Sequence, residues 1–348
     1  MRSYYRFLIY IAIIIATTPS HAAYFDYLQP LPTQALIPES NPQTDAKLAL
    51  GKLLFNDKRL SAQNNHSCND CHNLQQGATS KNSYAVTVAN KSFKRNPPTL
   101  LNIGLQTVLY WDGRATSLEA QTLDHLQDKH IMANKDSDAL LKKLAADSHY
   151  QKAFSDAFST SPAISLDHLA MAIASFERAL MTPDSPFDRF IKGDKKAISA
   201  KAQEGIKIFN NTGCLACHFG VNFAGPAPGP AMGPGDGFYE LFPNNRGTRY
   251  DASHHLTDDL GRFEFSNDSG EKYMWRVPPL RNIALTAPYF HNGSAKTLRE
   301  AVKIMAKTQT NKVLSRQQLD AVVAFLNSLT GKTPAIINSA TPAKSNTH

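Results

Sequence analysis

Cysteine is scarce in this chain, with four in 348 residues, and tryptophan scarcer still, with two. Four cysteines are too few for a disulfide-stapled scaffold, which needs a high cysteine density. Long apolar runs are missing apart from Phe7–Ala16 near the N-terminus, which is short of the roughly 20 residues that span a bilayer. No run of Lys and Arg is interleaved with aromatics, and a formal charge of +8 is modest for this length, so nucleic acid is a poor fit as partner. A mildly basic surface could steer an acidic protein partner or could simply be solvated. Strand-like alternation is also scarce. At 42% hydrophobic and 19% charged residues, the chain is long enough and apolar enough for one or two domains with real cores.

The N-terminus reads as a secretory signal over residues 1–23. Arg2 and Arg6 precede the apolar run, and Ser20–Ala23 offers small residues for cleavage after Ala22 or Ala23. Export is expected, which in a bacterium means the periplasm. Removing Arg2 and Arg6 takes two charges off the total.

All four cysteines fall in two copies of one pattern, Cys68-Asn69-Asp70-Cys71-His72 and Cys214-Leu215-Ala216-Cys217-His218. Residues three apart share a helix face. Two thiols at that spacing can reach the two vinyl groups on one haem edge, and the next His can turn under the ring to the iron. Zinc ribbons place their two knuckles roughly 15–20 residues apart, whereas Cys71 and Cys214 lie in different halves of the chain. A thioredoxin-like dithiol wants a βαβ context, and the flanks here read as loops and helices. The two motifs therefore predict two covalently attached c-type haems, held by Cys68, Cys71 and His72 and by Cys214, Cys217 and His218.

Apolar periodicity predicts helices over Leu118–Gln127, Ser137–Phe158, Leu166–Met181, Ser199–Asn210, Leu298–Met305 and Ser315–Leu329. Ser165 is a candidate helix start, and Ser315-Arg-Gln-Gln reads as a capping box. Gly and Pro crowd into 225–234, a loop after the second haem motif. Thr182–Lys196, with two prolines, a glycine and several charges, looks like a boundary. The expected fold is mostly α, with two cytochrome c-like helical domains carrying one haem each. The N-terminal domain would cover 24–185 and the C-terminal domain 186–331. The Thr, Pro, Ala, Ser and Asn-rich tail, 332–348, is expected to be disordered.

The blocks "GKLLFNDKRLS", "RNPPTLLN", "YWDGRATSLEAQ", "VPPLRNIALTAPYFHNGS", "EAVKIMA" and "AVVAFLNSLTG" occur in this order between Leu48 and Gly331. In this the chain resembles the bacterial di-haem cytochrome c peroxidases and their MauG-type relatives. The resemblance implies an electron-entry haem in the C-terminal half, with Met305 as its second ligand. A thioether ligand favours ferrous iron and raises the potential. Seen alone, Met305 reads as readily as a core residue on an amphipathic helix. MauG-type proteins carry Tyr there, so Met305 favours a peroxidase.

The resemblance further implies that the N-terminal haem meets peroxide, with Gln121 as a distal residue. The family's distal Glu falls at Ile131, which carries no carboxylate. His125 and His130 are nearby imidazoles that could move the same proton, or could be surface residues on a helix. Many members also cap this haem with a His at about Val88, and no His lies between His72 and Trp111, so the resting haem is expected to be either five-coordinate or ligated by another group such as His125 or His130. Trp111 matches the family's tryptophan between the haems. Asn96, Thr286 and Pro288 match positions that bind calcium between the domains, and such oxygen ligands suit that ion. His291 matches a His near the haems that could contact a propionate, while Trp275 reads as core.

The expected activity is periplasmic reduction of hydrogen peroxide with electrons from a small cytochrome c or cupredoxin. Relatives often form homodimers. The alternatives are a MauG-like enzyme that oxidises residues of a partner protein and a di-haem electron-transfer cytochrome.

Overall fold

The computed structural model describes residues 28–83, 94–229, 232–233 and 235–339. The signal segment, Val88 and the last nine residues lie outside the described residues. The chain is mostly helical. Helix α1 spans Asp45–Phe55 and the short α2 spans Cys68–Cys71. Next come α3 (Leu118–Gln127), α4 (Ser137–Ala145), α5 (Ser148–Ala157) and α6 (Leu166–Arg178). After α7 (Pro186–Ile191) the second half carries α8 (Ala200–Asn211), α9 (Arg249–Ser253) and α10 (Phe263–Ser266). The chain then runs through α11 (Leu298–Thr310), α12 (Arg316–Ser328) and α13 (Ala335–Asn338). Among the described residues the only strands are β1 (Tyr239–Leu241) and β2 (Met274–Arg276), paired antiparallel with Glu240 opposite Trp275.

The long helices begin at side-chain caps. Ser117, Ser165 and Ser199 accept from the backbone N–H three residues on, and Ser315 with Gln318 forms the expected capping box. The single helix expected over Ser137–Phe158 is two. Asp147 is extended, and its carboxylate accepts from the His149 N–H while pairing with Arg59 at 2.9 Å. A residue that caps a helix cannot also continue the one before it.

Each half is built on one close helix crossing. In the first, α1 crosses α6 at Gly51, where a Cβ would lie 2.0 Å from the Ala172 carbonyl oxygen and 2.8 Å from Phe176 Cβ. In the second, α8 crosses α12 at Gly205, where a Cβ would lie 2.0 Å from the Ala321 carbonyl oxygen and 2.9 Å from Phe325 Cβ. A core forms beside each crossing, one around Phe55, Tyr150, Phe154 and Phe176, the other around Phe187, Phe209, Phe223 and Phe325.

The connecting segments repeat as well. Residues 96–126 match 276–306 turn for turn, at the constant spacing that takes Asn102 to Asn282. Asn102 and Asn282 are both left-handed, with φ of 60° and 61°, and each opens a 3-10 turn, Ile103–Leu105 and Ile283–Leu285. Tyr110 and Phe290 both have positive φ, inside bridges Leu109–Ala115 and Tyr289–Ala295. Ser117 and Thr297 then cap α3 and α11. Contacts between the halves are reciprocal: the Asn96 N–H donates to the His291 carbonyl at 2.6 Å, and the Arg276 N–H donates to the Trp111 carbonyl at 2.9 Å. Asn102 and Asn282 both donate to Thr182 Oγ1, at 2.9 and 2.7 Å. Reciprocity of this kind is the mark of an approximate two-fold relation.

The segment between the halves is anchored. Asp188 pairs with Arg281 at 2.7 Å, both fully buried, and also accepts from the Leu31 N–H. The expected disordered tail is corrected over 332–339. That stretch forms α13 and returns to the first half, where Ile337 is buried in the core. The buried Lys52 ammonium donates to the carbonyls of Ile336, Ile337 and Ser339. Unpaired carbonyls at a helix C-terminus attract a cation, and that attraction fixes the segment.

The crossings yield a prediction. Gly51→Ala and Gly205→Ala should each lower unfolding stability by about 1–3 kcal/mol or more, read by chemical denaturation of the holoprotein. An unchanged midpoint in either variant would contradict the close approach.

Candidate active site: two haem pockets and the groups between them

In the second half Cys214, Cys217, His218 and Met305 line one cavity of about 470 Å³. A 3-10 turn at Cys214–Ala216 presents the cysteines, and the His218 N–H returns to the Cys214 carbonyl at 3.0 Å. His218 Nδ1 contacts the Phe223 carbonyl at 3.0 Å. A carbonyl only accepts, so Nδ1 carries the proton and Nε2 is free to ligate. Burial pushes the His218 pKa down, which keeps the imidazole neutral. Met305 enters the cavity from α11, and Val322 and Leu326 of α12 form part of the apolar wall. Two thiols, a neutral imidazole and a thioether around one apolar cavity fit a c-type haem.

The first half repeats the attachment. Ser67 and Asp70 cap α2, and the His72 N–H donates to the Cys68 carbonyl at 2.9 Å. His72 Nδ1 contacts the Pro98 carbonyl at 3.0 Å, and burial pushes this imidazole down to about 4. Pro98 is the repeat mate of Pro278, whose carbonyl backs His218. All four cysteines are free. Burial raises Cys71 and Cys217 to about 11 and Cys214 to about 12, and raises Cys68 also. Neutral buried thiols are poor zinc ligands, and among the described residues no group of three or more His, Cys, Asp or Glu could hold a metal ion.

On α3, Gln121 is buried with its amide free of hydrogen bonds among the described residues, and His125 lies one turn further on. Glu119 on the same helix is taken up by Arg178, through two 2.7 Å bonds. The half-buried His125 ring meets Tyr110 edge-on at 5.2 Å. Tyr110 is held from both sides, by Asp124 at 2.5 Å and by the Arg114 guanidinium 3.4 Å over its ring. Burial first, and then the nearness of His72, push His125 down to about 3, so it is neutral.

His130 does not join this group. Helix α3 ends at Gln127, the chain turns, and the His130 side chain is exposed. Ile131 follows in the same turn, half-buried.

Glu177 is a buried acid that the sequence reading passed over. Its Oε2 is enclosed without a partner, burial raises it to about 8, and it adds to the raised pKa of Cys68. The matched crossings pair Ala172 with Ala321 and Phe176 with Phe325. Glu177 therefore occupies the place of Leu326, which walls the second cavity. Its signal was positional, a Glu inside the apolar face of α6.

Trp111 lines the second cavity from the first half and donates to the Asn96 carbonyl at 2.7 Å. His291 meets Trp111 edge-on at 6.5 Å and stacks on Trp275 at 4.2 Å, and its Nε2 is buried without a partner. Trp275 is buried as expected of a core residue, but it also lines the cavity and carries Arg95 over its ring at 4.9 Å. Arg95 forks onto Asp259 and Asp112 at 2.6–2.8 Å, joining the halves.

Asn96, Thr286 and Pro288 all line this cavity. Asn96 Nδ2 donates to the Pro288 carbonyl at 2.8 Å, while its buried Oδ1 has no partner. Turning that amide over would set two oxygens side by side, as around a hard cation. An amide oxygen and a backbone carbonyl are ligands of the kind calcium takes.

Comparison with known proteins agrees with this geometry. The family model for di-haem cytochrome c peroxidase matches residues 45–196, and that for cytochrome c matches 202–330. The chain is 36% identical to cytochrome c551 peroxidase of Pseudomonas aeruginosa, over 92% of this chain and 88% of the relative. It is 32% identical to methylamine utilization protein MauG of Methylorubrum extorquens, over 86% and 82%. Among solved structures it resembles a MauG-like protein associated with microbial copper homeostasis, with 25% identity, TM-score 0.75 and coverage of 92% and 97%.

The buried acid makes a pH prediction. The Glu177 carboxyl goes from an ordinary 4.5 to about 8 on folding, so between those values the unfolded chain binds fewer protons than the folded one. Stability then falls as pH rises through that window. Glu177→Gln should flatten this fall, read by denaturation of the holoprotein at about pH 5 and about pH 8. An equal slope in variant and wild type would contradict it.

Proposed function

Because the chain belongs to the di-haem cytochrome c peroxidase family, we propose that it is an exported peroxidase that reduces hydrogen peroxide to water. Its electrons would come from a small cytochrome c or a cupredoxin. The observation that carries this reading is the asymmetry of the two pockets. Met305 and His218 line one cavity together, while in the other half α3 carries a buried Gln121 and, one turn on, the His125 imidazole.

Two haem c groups, when bound, supply the electron transfer and the redox chemistry of O–O cleavage. The chain's residues then do the following work. His218 and Met305 hold the electron-entry haem at the higher potential that thioether ligation gives. His72, oriented by Pro98, holds the second haem. Trp111 stands between the halves as the aromatic link for electrons. Gln121 donates its amide N–H to a bound peroxide oxygen. His125, one turn from Gln121, would be the imidazole placed to move the proton between the two peroxide oxygens, the work a carboxylate at Ile131 would otherwise do. His130 is left as a surface residue. Asn96, Thr286 and Pro288 hold a calcium ion that pins the halves beside Trp111. No helix among the described residues is long and apolar enough to cross a membrane.

Ile131 in place of a carboxylate favours one second reading. With weaker proton delivery, oxidising equivalents could persist long enough to oxidise residues of a partner protein, as a MauG-like enzyme would. A pure electron-transfer cytochrome is disfavoured by the free amide of Gln121.

The test is peroxide turnover by the oxidised holoprotein with a reduced small cytochrome c, with and without one-electron pre-reduction. Turnover is expected in at least one condition, and Gln121→Ala should cut kcat/KM about 10²–10⁴-fold with haem content unchanged. No turnover in either condition, with cytochrome or cupredoxin, would overturn the assignment in favour of a protein substrate.

A further inference from the structure

The internal repeat assigns a ligand that neither the sequence reading nor the comparisons fix. Between 96–126 and 276–306 the register carries no insertion. The left-handed asparagines, the 3-10 turns, the positive-φ residues Tyr110 and Phe290, the short bridges and the caps Ser117 and Thr297 all fall at the same spacing. Continued along the helices, that spacing pairs Leu118 with Leu298, Gln121 with Ala301 and His125 with Met305. Both helices are regular through these positions, so the pairing is of place and direction as well as of number.

Met305 enters the second haem cavity together with His218. The proximal sides correspond too, because Pro98, whose carbonyl contacts His72 Nδ1 at 3.0 Å, has as its repeat mate Pro278, which lines the second cavity beside His218. What stands across from His218 in one half has its counterpart across from His72 in the other.

We propose that His125 is the second axial ligand of the first haem in the resting oxidised protein, opposite His72.

Three observations support this. The His125 ring is half-buried, and among the described residues its nitrogens make no hydrogen bond that would hold them away from an iron. Its position is fixed by the edge-on contact with Tyr110, the mate of Phe290. No other His, and no Met or Cys, lies between His72 and His125 in the sequence. The next Met, Met132, is 4% exposed and lies beyond the helix in a turn, where its backbone bonds Ala62. The first haem is thus capped from a helix and by a neutral imidazole, and peroxide must displace that imidazole to bind. Once displaced, His125 remains one turn from Gln121, which is where the proposed function needs a proton carrier. The inference rests on two haems being bound but not on peroxide turnover.

The test is the spin state of the holoprotein with both haems attached and no peroxide added, by low-temperature electron paramagnetic resonance and absorption. Wild type should show two low-spin haems, one bis-imidazole and one His–Met. His125→Ala should convert one of the two haems to high spin, and added imidazole should restore low spin. Met305→Ala should convert the other haem and leave the bis-imidazole signal in place. A high-spin haem already present in resting wild type would overturn the proposal, even if His125→Ala fails to fold. So would a His125→Ala spectrum identical to wild type. A bis-imidazole haem in a protein without peroxide turnover would sustain this inference and sink the functional one.

Discussion

The structure depends first on one hydrogen bond made twice. His72 Nδ1 meets the Pro98 carbonyl and His218 Nδ1 meets the Phe223 carbonyl, each at 3.0 Å. Each carbonyl fixes the ring's tautomer and plane and leaves Nε2 as the ligating atom. The Cys-x-x-Cys-His turn alone cannot do this, because the His side chain would rotate. Pro98 opens the repeated segment that runs on to α3, so the backbone that orients the His72 ring also leads to the Gln121 and His125 helix, whereas the His218 ring is held from Phe223 in the loop after its own motif. The helix crossings at Gly51 and Gly205 close the frame behind. A Cβ at either glycine would push the helices apart and open the wall against which each haem must pack.

From one frame used twice the chain derives two different sites by changing what points inward. Met305 has His125 as its mate, Ala301 has Gln121, Leu326 has Glu177, and His291 has Trp111. The second pocket is the apolar member of each of the first three pairs, which suits an iron that only exchanges electrons. The first is polar at the same places, and buried polar groups without partners are costly unless a ligand or a reaction uses them. Glu177, unpaired at Oε2, is the clearest of these. Trp111 and His291, paired edge-on at 6.5 Å, stand where the two frames face each other.

Much of this was legible in the sequence because it is local. The Cys-x-x-Cys-His motifs, the capping serines and the apolar periods of α3, α6, α8 and α12 depend on residues a few places apart. What depended on distant partners was not. The break at Asp147 follows from its pairing with Arg59, some ninety residues away (147 against 59). The order of the tail over 332–339 follows from Lys52, which collects its carbonyls. Trp275 read as core because its stack on His291 joins two segments that only the fold brings together. His130 read as a distal candidate because it adjoins Ile131, and only the fold shows that its side chain is exposed. The duplication itself was hidden because backbone conformation keeps its register while side chains differ, as at Tyr110 and Phe290, or Trp111 and His291.

The central claim is that two haems in matched frames are made inequivalent by their second ligands, so that electrons enter at one and chemistry occurs at the other. An anaerobic potentiometric titration of the holoprotein, followed optically, tests it most directly. The account predicts two separate one-electron steps, the higher belonging to the haem that carries Met305. Two haems reduced together at one potential would contradict it.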